Sequence, residues 1–117
     1  MVVDSLERET QTDRLFFALS DATRRDIVTQ TLDREHSVSE LGRLYPISLT
    51  AVQKHVEVLV AAGLVSKHLS GREQLVRGEA DQLRRAHELL DELETLWRAR
   101  LERFDDVLNE TTGRENE

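Results

Sequence analysis

The chain contains no cysteine. Disulfides, thiolate metal sites and cysteine nucleophiles are therefore excluded, and any metal or catalytic site has to be built from His, Asp, Glu, Ser or Thr. The absence also fits a cytoplasmic location. Aromatics are scarce (Phe16, Phe17, Tyr45, Trp97 and Phe104), so the core must be mostly Leu, Val and Ala. No apolar run approaches the roughly 20 residues that cross a bilayer, so no membrane partner is expected. The N-terminal MVVDSLERETQTDR is acidic and has no signal-peptide core. Catalytic motifs are missing as well: there is no G-x-S-x-G elbow, no phosphate-cradling glycine loop and no H-E-x-x-H. The abundant carboxylates stand at helical spacing from arginines, as in Asp81–Arg84, Arg84–Glu88, Glu94–Arg98 and Arg98–Glu102. Such pairs stabilise helices rather than transfer protons. No catalytic residue and no cofactor is assigned, and the chain does not read as an enzyme.

What is present is a chain of 117 residues, 38% hydrophobic and 33% charged, which suits one helix-rich domain with a charged surface. A net charge of −7 argues against a non-specific nucleic-acid coat. The charge is uneven, however: −2 over residues 1–20, +1 over 21–78 and −6 over 79–117. Within 43–77, Arg43, Lys54, Lys67, Arg72 and Arg77 stand against only Glu57 and Glu73. For a polyanion binder, the field at the contact face matters more than the total.

Residues 1–9 read as a flexible N-terminus. A first helix follows from about Thr10 to Leu19, with Leu15, Phe16, Ala18 and Leu19 apolar. Asp21 reads as an N-cap for a second helix, Ala22 to Asp33, that turns Ile27, Val28 and Leu32 inward. Ser37-Val38-Ser39-Glu40 has the capping-box form and starts a short third helix, which stops near Tyr45 because Pro46 disfavours helical geometry before it. Ser48 caps a fourth helix running to about Ala62. Its buried stripe is Val52, Val56, Leu59 and Val60, and Gly63 closes it. Val65–Leu69 and Glu73–Val76 are short strands around a Ser70-Gly71-Arg72 tip. From about Glu79 to Leu108 the apolar residues Leu83, Ala86, Leu90, Leu93, Trp97, Leu101, Phe104 and Leu108 repeat every three or four positions. That is one long helix with a continuous apolar seam. So long a stripe left uncovered aggregates, so Leu90, Leu93, Trp97, Leu101 and Phe104 are expected to form a homodimer interface. The alternative is that the helix folds back as ordinary core. Residues 109–117 read as a disordered tail.

Helix, short turn, helix and basic hairpin together make a winged helix-turn-helix: a mainly α fold with a small β-hairpin and a long C-terminal dimerisation helix. Residues 10–78 form the DNA-binding part, and residues 79–108 the helix of the same compact domain. The second helix of such a motif enters the major groove with its N-terminal residues. Thr50, Gln53 and Lys54 stand in those turns. Gln pairs bidentately with adenine, and Lys suits guanine or phosphate. Ser48 at the helix N-terminus suits a phosphate. Gly71 allows a tight turn beside Arg72, which can reach backbone phosphates or a minor groove.

The segments ALSDATRRDIV (18–28), HSVSELGRLYPIS (36–48) and LTAVQKHVEVLVAAGLV (49–65), with the Gly71-Arg72 wing, resemble the ArsR family of winged-helix bacterial repressors, in its form without the cysteine metal box. The resemblance covers roughly residues 15–78. It implies a homodimer on a partly two-fold-symmetric operator in double-stranded DNA, blocking transcription. It also implies that Ser48, Thr50, Gln53, Lys54, His55 and Arg72 contact DNA, His55 being assigned to contact on this ground. Three positions depart from the family pattern: Gln53 stands where Ser is commoner, Val76 where Tyr is often found, and Glu57 puts an acid near the reading face.

The family's arsenic-type sensors carry a Cys-Val-Cys box where this chain has His36-Ser37-Val38-Ser39-Glu40, so that site is absent. His87 and Asp91, with Glu88 beside them, share a helix face, but two residues do not make a four-coordinate site, and no metal is assigned. His36 and His68 are expected to be isolated and exposed. No effector can be named. The competing reading is a winged-helix protein-interaction module without specific DNA binding, suggested by the −7 charge, Glu57 and the acidic final helix.

Overall fold

The computed structural model describes residues 2–115, with side-chain surroundings from Leu6 to Thr111. The described elements, in order, are α1 (Val2–Leu19), α2 (Ala22–Asp33), β1 (His36–Ser37), α3 (Val38–Leu44), α4 (Leu49–Ala61), β2 (Val65–Ser70), β3 (Glu73–Gly78) and α5 (Ala80–Glu115). They fall into two units, Met1–Ala86 and His87–Glu117. The first is a winged helix-turn-helix. The second is the continuation of α5 as a single helix.

The helix boundaries follow local chemistry. The Asp21 carboxylate accepts from the Arg24 backbone N–H at 3.0 Å and starts α2. Ser37 and Glu40 form a reciprocal capping box on α3: the Ser37 hydroxyl accepts from the Glu40 N–H at 3.0 Å, and the Glu40 carboxylate from the Ser37 N–H at 3.2 Å. Tyr45 is extended, as the residue before Pro46 must be, and α3 ends there. At the other end of α4, Gly63 takes a φ of +74°. The Leu64 N–H returns to the Leu59 carbonyl and the Gly63 N–H to that of Val60, both at 3.0 Å. This is the Schellman arrangement, and the two leucines that accompany it are fully buried.

The core of the first unit is aliphatic: Leu15, Ala18, Ile27, Val28, Leu41, Val52, Val56, Leu59, Leu64, Val65 and Val76 are buried, with Ala62 and Ala86 at its margins. Phe16 and Tyr45 pack against it without being sealed in. The sheet is antiparallel with order β1-β3-β2, so β3 is central. β2 and β3 pair from Val65↔Gly78 to Ser70↔Glu73, and His36↔Val76 and Ser37↔Leu75 add the third strand.

Several sequence expectations need correction. β1 was not foreseen: two residues that also open a capping box carry no alternation to read. α1 begins at Val2 and α5 continues to Glu115, so both terminal segments expected to be flexible are helical over the described residues. No Pro or Gly interrupts residues 2–19, and the Thr10 and Thr12 hydroxyls donate back to the carbonyls of Leu6 and Arg8, each at 2.9 Å. Thr111 does the same to Val107 at 3.0 Å, beyond the expected helix end. Met1, Asn116 and Glu117 lie outside the described residues. Leu32 and Val60 are not buried, at 43% and 37% exposure: the buried stripe of α4 runs through Leu59 to Ala62, and Leu32 is covered only in part, by Gly78 of β3. His36, expected on the surface, is buried, and its Nδ1 lies 2.9 Å from the Arg34 carbonyl.

Candidate nucleic-acid interface

α3 and α4 are joined by a short turn, residues 45–48. The Tyr45 hydroxyl at the end of α3 donates to Asp26 of α2 at 2.6 Å. Burial, then the hydrogen bond and charge of that carboxylate, push the phenol well above its ordinary range, so it remains a donor. α4 packs Val52, Val56 and Leu59 into the core. The opposite side carries Thr50, Gln53, Lys54 and Glu57, which are i, i+3, i+4 and i+7 and all exposed. This row is the polar face that the sequence placed toward a groove.

Ser48 stands at the head of α4. Its hydroxyl oxygen accepts from the Ala51 N–H at 3.1 Å, which leaves the hydroxyl hydrogen free to donate. The next two backbone N–H groups, of Leu49 and Thr50, belong to the open first turn of a helix, where anions bind. The hairpin lies nearby in the same unit. Gly71 has a φ of +63° and no non-glycine residue has a positive φ among the described residues, the pattern of a tight turn with glycine at its first central position. Arg72 beside it is exposed and makes no ion pair among the described residues.

Between α4 and the hairpin runs a groove of about 320 Å³ lined by Val38, Gln53, Val56, Glu57, Lys67 and Gln74. Gln74 is not singled out from the sequence, and Lys67 only as one of the basic residues of the 43–77 segment. The signal was available: Lys67 shares a strand face with Val65, which is buried, and so must turn toward α4.

His55 differs from the rest of the predicted row. It is half-buried, and its Nδ1 lies 3.2 Å from Nη1 of Arg24. Arg24, also missed, is buried. Its Nε donates to the Ala18 carbonyl at 2.8 Å and its Nη2 to that of Phe17 at 2.9 Å. Its guanidinium lies 5.0 Å from the centre of the Phe17 ring. The negative end of α1, which has no basic residue in its last turn, is thus closed by a cation from α2.

In the second unit, Leu90, Leu93, Trp97, Leu101 and Phe104 are all exposed on α5. His87, Glu88 and Asp91 are exposed on the same helix, and no group of three or more potential metal ligands occurs among the described residues. No described helix is long and apolar enough to cross a membrane.

The chain is similar to known proteins. A helix-turn-helix domain family matches residues 19–68. An HTH-type transcriptional regulator of Mycobacterium tuberculosis, Rv2034, is 42% identical over 59 residues; the match covers 50% of this chain and 55% of that protein, so the chain matches about half the length of this relative. The solved structure of an ArsR-like transcriptional regulator from Rhodococcus sp. RHA1 superimposes with a TM-score of 0.81 at 30% identity, covering 89% of this chain and 95% of that one. The homodimeric winged helix-turn-helix DNA-binding domain of a Mycobacterium bovis protein shares the fold, with a TM-score of 0.63 at 21% identity over 78% of this chain and 84% of that domain.

Proposed function

Because the chain belongs to the ArsR family of transcriptional regulators, a non-enzymatic family, we propose that it is a cytoplasmic homodimeric repressor that binds an operator in double-stranded DNA. α4 enters the major groove with Thr50, Gln53 and Lys54 toward the base edges. Ser48 and the open N–H groups at the head of α4 take a phosphate, His55 contacts the backbone, and Arg72 of the wing reaches the flanking backbone. The observation that carries this reading is the exposed Thr50–Gln53–Lys54 row on the face of α4 opposite its buried stripe. Residues that only had to be solvated would not need donors and acceptors at groove-reading spacing at the start of a second helix.

The dimer is proposed to form through Leu90, Leu93, Trp97, Leu101 and Phe104, an apolar stripe exposed on a helix that is otherwise strongly charged. The homodimeric state of the M. bovis neighbour supports the same assembly. A dimer sets two recognition helices against two half-sites, so the operator should be partly palindromic.

A second reading, a winged helix that binds protein instead of DNA, is favoured by one observation: Glu57 is exposed at the C-terminal end of the polar row and forms no ion pair among the described residues. Selection from random duplex DNA separates the two. A regulator enriches a defined site, and its binding falls steeply with salt as counterions are released. An interaction module enriches none.

A further inference from the structure

We infer that Arg24 is a positioning residue for the DNA face: it holds His55 in the tautomer whose Nε2–H donates to a backbone phosphate. The inference rests on the DNA-binding reading above and deepens it by assigning what His55 contacts and how.

A charged residue buried in an otherwise aliphatic core needs a reason, since burial of a cation is costly unless its donors are all used. Two of the Arg24 groups are held by the last carbonyls of α1, and the Phe17 ring lies against the guanidinium. With its plane fixed in this way, the remaining contact is Nη1 to Nδ1 of His55 at 3.2 Å. A guanidinium has donors only and keeps its charge. Nδ1 must therefore supply a lone pair. In a neutral imidazole the hydrogen then sits on Nε2.

That hydrogen has no acceptor among the described residues. Nε2 makes no hydrogen bond among the described residues, and no buried side-chain nitrogen or oxygen among them lacks a partner, so Nε2 reaches the surface. His55 directly follows Lys54 on α4, at the edge of the exposed row. The result is an uncharged N–H donor, locked in orientation from behind, on the element that meets DNA. A phosphate oxygen is the acceptor available to it there. Because the donor is neutral, it adds a contact without releasing a counterion, which distinguishes it from Lys54.

The test uses the full chain and the operator recovered by selection, with affinity measured across a range of salt. His55→Gln, which can place an amide N–H near the Nε2 position, should bind more tightly than His55→Asn. His55→Asn, whose amide reaches only the Nδ1 position, should bind about tenfold more weakly than the native chain, the loss of one hydrogen bond, with an unchanged salt slope. Arg24→Met should lose a similar factor, and Arg24→Met combined with His55→Asn should be no weaker than either alone. The nitrogen spectrum of the imidazole, recorded above its ordinary titration range, should show an unprotonated, hydrogen-bonded Nδ1 that loses this signature in Arg24→Met. Native binding by His55→Asn, multiplying losses in the double variant, or a protonated Nδ1 would overturn the inference. If Arg24→Met does not fold, the His55 pair and the native spectrum decide it. If the native chain selects no DNA site, the DNA-binding reading fails and the phosphate role fails with it, while the spectrum still reports separately on the Arg24–His55 contact.

Discussion

Replacing Leu93 with alanine should weaken the proposed dimer far more than replacing Leu96, although Leu96 is the more exposed of the two, at 67% against 54%. If exposure alone set the interface, Leu96 would matter more. The apolar stripe makes the opposite demand, because Leu96 precedes Trp97 by one residue and so lies about 100° around the helix from it, whereas Leu93 lies one turn back on the same side. Fully burying a leucine side chain contributes roughly 1.5–3 kcal/mol. Covering the exposed half of Leu93 is therefore worth about 1–1.5 kcal/mol, and two-fold symmetry counts it twice. The dimer dissociation constant should rise roughly 30- to 140-fold for Leu93→Ala. Leu96→Ala should stay within about twofold, as surface changes usually do. Sedimentation equilibrium over a concentration series measures both, with far-ultraviolet circular dichroism to show that α5 remains helical. An equal effect of the two substitutions, or a larger one at Leu96, would refute the seam. No effect of either would move the interface off this stripe.

Other consequences are open to direct measurement. Lys54→Ala should weaken binding to the selected operator and reduce the slope of log affinity against log salt by about 1 if the ammonium meets a phosphate; an unchanged slope would assign it to a base edge instead. Gly78→Ala should destabilise the first unit by roughly 1–3 kcal/mol in urea denaturation, because its Cβ would come within 2.7 Å of the Leu32 backbone nitrogen, which cannot swing aside as a side-chain end can. Gly71→Ala, with nothing within 4 Å of the added carbon, should lose only the roughly 1–2 kcal/mol of left-handed strain. In acid, two caps should fail together. The Arg24 N–H holds the Asp21 carboxyl below its ordinary range, and the Ser37 N–H, with Arg34, does the same for Glu40. Groups lowered in the folded state contribute stability that is complete above the ordinary carboxylate range and is lost as pH falls through their folded-state values. Asp21→Asn and Glu40→Gln should therefore flatten the decline of unfolding free energy in that window, and an unaltered decline would remove the caps from the account.

The parts of the fold that were legible in the sequence are those set by neighbours along the chain. Asp21, Ser37 with Glu40, Tyr45 before Pro46, Ser48 and Gly63 each act on a backbone group within a few residues, so their pattern can be read in one dimension. β1 and the burial of His36 depend on β3, some 40 residues later, and leave no local trace. Lys67 and Gln74 were legible in principle, through the two-residue alternation of the strands, but their meaning came only when the hairpin was set beside α4. In the site itself, Ser48, Thr50, Gln53 and Lys54 stood out because donors and acceptors on an exposed face carry their chemistry outward.

Arg24 was hidden for the opposite reason. An arginine in the first turn of a helix reads as surface, and its sign runs against the dipole there, since a helix N-terminus disfavours a cation. Yet Arg24 is i−3 and i−4 from the buried Ile27 and Val28 and i−7 from the buried Thr31, which places it on the inward side of α2. The end it serves belongs to another helix: α1 stops at Leu19 with no basic residue in its last turn, and Arg24 and Arg25 together take the carbonyls of Phe17, Ala18 and Leu19. A two-residue connection brings the negative end of α1 against the start of α2, so one pair of arginines can close the first helix while the Asp21 carboxylate offsets their charge at the second. The DATRR segment is thus a joint between two helices, and through His55 its buried arm touches a third, the one proposed to meet DNA. The same few residues join α1 to α2 and supply the side chain that meets the His55 ring.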